Sequence, residues 1–145
     1  MKVVVFASTL LIPVLVLSLG TAFSADDGQP SGKLQPRKAS PFYCNVQALN
    51  PAERKRHFDE LGPKLRGLRK SVRELENGYE FEFPSDAAVY QMVSEWAIQE
   101  HRCCPFFDIS LRLGSEGGPL WLSLTGRPGT KDFIKLDGAS WIKQQ

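Results

Sequence analysis

Three stretches alternate apolar and polar residues: Tyr79 to Phe83 through Phe81, Phe107 to Leu113 through Ile109 and Leu111, and Leu120 to Leu124 through Leu122. A period of two puts every apolar side chain of a strand on one side, so these stretches belong to a sheet with one dry face. Between the first and second, Val89, Val93, Trp96 and Ala97 recur at helical steps instead. A helix lying between strands that share a dry face has to cover that face.

The remaining elements follow from local signals. Asn50-Pro51 predicts a helix start, and Phe58, Leu61, Leu65 and Leu68 continue it as an amphipathic stripe that Gly62-Pro63 should kink or divide. Ser71 to Leu75 pairs with Tyr79 to Phe83 as a hairpin, with Asn77-Gly78 expected to supply positive φ angles. Ser85 is the expected cap of the second helix, which Pro105 ends just past Cys103. Glu116-Gly117-Gly118 turns the third strand into the fourth, and Thr130 to Leu136 closes the domain as a helix. The order α-β-β-α-β-β-α predicts a single α+β domain: a four-stranded antiparallel sheet with helices packed on one face. Thr125 to Lys131 superficially resembles a phosphate loop, but its glycines, Gly126 and Gly129, have two residues between them where that loop needs four. It reads as a strand-to-helix turn.

The domain is expected over residues 42–141. Ahead of it, Met1-Lys2, the apolar run Val3 to Gly20 and the small residues Ala22 and Ser24 have the layout of a signal peptide over 1–24, with the mature chain starting at Ala25. Residues 25–41, rich in Asp, Gly, Pro, Ser and Lys, read as a disordered leader. The chain is therefore expected to be exported, periplasmic or secreted, with no stable membrane anchor after cleavage. A net charge of +2 implies no polyanionic partner. Basic residues do crowd Arg54 to Arg73, which reads as a solvated helix face rather than a nucleic-acid surface; the alternative use is an interaction module built on the first helix. No protein partner can be read.

Export gives the three cysteines, Cys44, Cys103 and Cys104, their meaning, because an oxidising compartment favours one disulfide and leaves one thiol over. Neighbouring Cys103 and Cys104 are poorly placed to bond each other, so a bridge from Cys44 to either of them is the leading structural expectation. On a helical wheel Glu100 falls in the middle of the apolar stripe of the second helix, with Cys103 and Cys104 at its edges and His101 pointing away. A carboxylate there must be paired, protonated or bound. Arg54, inside the stripe of the first helix, is the expected partner, with His57 at that stripe's margin. The competing reading makes Glu100 a general base or a ligand beside three thiolates, a set that suits zinc or a soft ion such as Cu(I) or Hg(II). A nucleophilic Cys103 or Cys104, with His57 as base, is disfavoured: the C-terminal end of a helix and a nearby carboxylate both raise a thiol pKa.

Asn50-Pro51-Ala52-Glu53-Arg54, Asn77-Gly78-Tyr79-Glu80-Phe81, Glu100-His101-Arg102-Cys103-Cys104-Pro105-Phe106 and Leu120 to Gly126 together resemble a small uncharacterised bacterial family with an E-x-x-C-C-P-F core and a closing strand ending in T-G. Related domains are linked to mercury and metal resistance. The resemblance implies thiol-based soft-metal binding by Cys44, Cys103, Cys104 and Glu100; the export signal departs from the cytosolic pattern of that family. The sequence thus reads as an exported binding protein with a three-cysteine site, holding a metal ion or a disulfide, rather than an enzyme.

Overall fold

The computed structural model describes residues 39–143. The signal segment 1–24 and nearly all of the leader 25–41 lie outside them. The first helical run, α1, joins Pro51–Arg54, a π-helical Lys55–Leu61 and Gly62–Leu68, and follows a short 3-10 turn at Val46–Ala48. Then come β1 (Ser71–Leu75), β2 (Gly78–Phe83), α2 (Ala87–Cys103), β3 (Phe107–Leu113), β4 (Leu120–Gly126), α3 (Thr130–Leu136) and a last turn, α4 (Ala139–Ile142). This is the expected α+β order with α4 added.

The sheet runs β1-β2-β4-β3, antiparallel throughout. Its register lines Val72, Phe81, Leu122 and Leu111 across one face, with Tyr79, Leu124 and Ile109 in the next row. Phe81, Phe83 and Leu122 on that face are fully buried against Leu65, Val93 and Trp96 from the helices. Burying one such side chain stabilises the fold by about 1.5–3 kcal/mol, which makes this face the main support of the domain.

Three local expectations change. The hairpin forms, but its two loop residues are Glu76 and Asn77, since Leu75 pairs with Gly78, and neither has a positive φ. Gly78 is required for another reason: a Cβ there would stand 1.9 Å from the Leu124 carbonyl oxygen. The cap of α2 is Asp86, whose carboxylate accepts from the N–H groups of Ala88 and Val89 at 2.9 and 3.2 Å. Ser85 turns instead to the Tyr90 hydroxyl, 2.7 Å away. A carboxylate at that position also suits the positive end of the helix dipole.

The third change concerns α1, which Gly62-Pro63 does not break. A proline ring collides with the carbonyl four residues back in a regular helix. Here the preceding turn widens to i→i+5 bonding, with Gly62 N–H donating to the His57 carbonyl. The wide turn advances by less than 100° per residue, so residues before it rotate off the stripe predicted for a regular helix. His57 moves into the core at 1% exposure, while Phe58 swings out to 42%.

Two alanine substitutions separate the roles of glycine. Gly78→Ala should destabilise the chain by about 1–3 kcal/mol or more in urea unfolding, because the strand backbones must part. Gly67→Ala, in α1 with none of the described residues beyond its own helical neighbours within 4 Å of its Cβ position, should stabilise it by about 0.4–1 kcal/mol.

Candidate functional site

The C-terminal end of α2 is clamped to the start of α1 and the segment before it by contacts from Arg102 and Cys103. Asn50 and Glu53 form a capping box at the start of α1, the Asn50 side chain accepting from Glu53 N–H and the Glu53 carboxylate from Asn50 N–H. The same Glu53 carboxylate receives the Arg102 guanidinium bidentately, at 2.6 and 3.1 Å, and Arg102 also donates to the Ala48 carbonyl at 2.8 Å. Asn45 N–H donates to the Cys103 carbonyl at 2.7 Å. Cys44, one residue earlier, is therefore delivered to the end of α2. Sequence reasoning did not find this clamp, because Glu53 and Arg102 each look like ordinary surface charges.

The bridge is Cys44–Cys104, with a Cα–Cα distance of 4.6 Å and 60 residues of separation. Closing a loop of that length restricts the unfolded chain by about 4 kcal/mol in the chain-entropy account. Cys103 is the free thiol, fully buried, with its Sγ 3.7 Å from Cys104 Sγ. One donor atom from each of Cys44, Glu100, Cys103 and Cys104 lies within 4.8 Å of all the others. All four expected ligands thus share one place.

Glu100 is buried as expected, at 9% exposure, but Arg54 is not its partner. The Arg54 guanidinium donates to Gln47 Oε1 at 3.1 Å and to the Leu49 carbonyl at 2.8 Å, rotated away by the wide turn of α1. Glu100 Oε2 instead meets His57 Nε2 at 2.9 Å. The other ring nitrogen, Nδ1, faces Gln99 Oε1 at 3.2 Å, and the imidazole stacks on Trp96 at 5.3 Å with an interplanar angle of 10°. With both ring nitrogens so engaged, His57 does not touch a sulfur. As a base for Cys103 or Cys104 it is misplaced; as a holder of the Glu100 carboxylate it is well placed.

Glu100 Oε2 also lies 3.7 Å from Cys103 Sγ, completing a chain from Gln99 through His57 and Glu100 to the sulfurs. Burial, followed by the negative charge of Glu100, pushes the Cys103 thiol up to about 12. Such a group stays protonated near neutral pH and is a poor free nucleophile, whereas a bound cation would favour its thiolate. A cavity of about 260 Å³ reaches this chain, with Cys44, His57, Glu100, Trp96, Phe133 and Trp141 in its wall. His101 is exposed and outside the site, as its place on the wheel implied.

Several basic residues in and just after α1 are drawn into the chain's own contacts, while Lys64 stays exposed. Arg56 binds Glu95 and Glu60, and Arg69 donates to the carbonyls of Trp141 and Lys143. Among the described residues, no helix is long and apolar enough to cross a membrane.

Thiol counting checks the pairing. Denatured, unreduced protein should expose one alkylatable thiol per chain, and Cys44→Ser protein two. Folded protein should react slowly at neutral pH, at a rate still rising as pH approaches about 12. Three thiols in the unreduced wild type, or fast reaction of the folded protein at neutral pH, would contradict this site. No family model, curated protein or solved structure matches this chain.

Proposed function

We propose that the protein is an exported binding protein for one soft metal ion, held in the reduced state by Cys44, Cys103 and Cys104 with Glu100. The convergence of four donor atoms within 4.8 Å carries this reading. Three thiolates and a carboxylate suit Cu(I), Hg(II) or zinc and disfavour hard cations, which prefer oxygen. The ion would supply the charge that the Cys103 thiolate lacks in its buried setting. His57 fixes the Glu100 carboxylate through Nε2, so it acts as a positioning residue behind the ligand. The likeness of Glu100 to Phe106 to a motif linked with mercury resistance supports the same reading. Export rests on the signal-like layout of the first 24 residues, and a disulfide in the domain is compatible with it.

The bridge itself favours a second reading, in which Cys44–Cys104 is a structural cystine and Cys103 a packed core thiol. Titrating the fully reduced, oxygen-free chain with Hg(II), Cu(I) and Zn(II) separates the two. The metal reading expects about one ion per chain. It also expects Cys44→Ser, Cys103→Ser and Cys104→Ser each to weaken binding by more than the ~10–100-fold that loss of an outer partner such as His57 costs. Oxidised protein should bind far less, since two of its sulfurs are spent. No tight binding by the reduced chain would leave the structural cystine as the account of these residues.

A further inference from the structure

The two edges of the sheet are unlike. At one, β1 is five residues long and carries Ser71, Arg73 and Glu74, the kind of short, charged edge that resists pairing. At the other, β3 is seven residues long, and the apolar row of its dry face runs out past the cover of α2. Leu111 is 40% exposed, Leu113 61%, and Ile98 on the adjacent flank of α2 is 65% exposed. A groove between α2 and β3, walled by Ala97, Ile98, Ile109 and Leu111, opens at this same edge. Among the described residues the outer edge of β3 is unpaired, and such an edge beside exposed apolar side chains is a template for a further strand.

The sequence of β3 says which strand fits. In an antiparallel pair centred on Ser110, positions that sum to the same value face each other. Ile109 then meets Leu111 of the other strand and Phe107 meets Leu113, all on the dry face. On the open face Asp108 meets Arg112, in both directions. Moving the centre to Ile109 or Leu111 loses both charge pairs, and a slip of one residue would set apolar side chains on the polar face. Asp108 is exposed, and Arg112 is at the same surface, reaching Glu80 at 3.6 Å and lying over Trp121. The strand is thus complementary to itself in both apolar pattern and charge.

We propose that β3 is the joining edge of a two-fold homodimer, paired antiparallel with β3 of a second copy in the register centred on Ser110. The two sheets become one of eight strands, and Leu111, Leu113 and Ile98 of each copy are covered. A symmetric, isologous contact of this kind closes on itself and stops at two chains. It does not depend on the metal reading, because no cysteine takes part.

Sedimentation of the full chain, with and without two charge reversals, tests the proposal. Wild-type protein should reversibly dimerise. Asp108→Arg faces Arg112 of the other copy with a like charge, and Arg112→Asp does the same to Asp108, so each variant alone should dimerise about tenfold more weakly or worse. Mixed in equal amounts the two variants restore both opposite-charge pairs, and a heterodimer near wild-type affinity should form. Circular dichroism melts of each variant would verify that folding is intact. As a second readout, Ser110→Cys, at the two-fold axis, should cross-link as a covalent dimer on mild oxidation, while Ser115→Cys, remote from that axis, should not. A wild-type chain that stays monomeric at high concentration overturns the proposal. So does a mixture that fails to recover, or equal cross-linking at both positions.

Discussion

A carboxylate set among apolar side chains has to be compensated, and at Glu100 the compensation is one imidazole. Much of the structure can be traced from that pair. His57 reaches Glu100 because α1 widens just before Gly62-Pro63, and the same wide turn sends Arg54 outward and exposes Phe58. The imidazole then fills a slot against Trp96, which in turn packs on Trp141 of α4 at 4.7 Å. Removing this hydrogen-bonded pair would therefore disturb two helices and the closing turn, not one contact.

The same carboxylate oxygen faces both His57 and Cys103, which ties the core to the sulfur site. Around it, the disulfide is only one of several fastenings. Arg102 to Glu53 and Ala48, and Asn45 to Cys103, hold the segment of Cys44 against the end of α2 independently of the S–S bond. Opening the bridge would leave those contacts in place, so Cys44 has reason to stay near its partners when reduced. Preorganisation of this kind is what lets a site bind without first ordering its chain.

The strands and α2 were legible in the sequence because their periods of two and 3.6 are enforced by burial on one face. Proximity of the three cysteines was legible for the same reason: the end of α2 and the entry to α1 had to meet over one core. The partner of Glu100 was not. A helical wheel assumes 100° per residue, and five-residue hydrogen bonding in Lys55–Leu61 breaks that assumption where Arg54 and His57 compete for the core. Gly62-Pro63 is the available signal, but by local rules it predicts a kink or a division of the helix rather than a change of pitch. The hairpin glycine was misread in a related way. Its requirement comes from the neighbouring strand, β4, forty-odd residues away, which no local turn rule can see.

A double-mutant cycle on the stability of His57→Leu, Glu100→Leu and the two together tests the central pair most directly. Each single change strands a buried polar partner and should cost on the order of 3–5 kcal/mol, while the double change, which removes both, should cost far less than their sum. Additive losses would mean that the two side chains do not compensate each other, and that the core is held by packing alone.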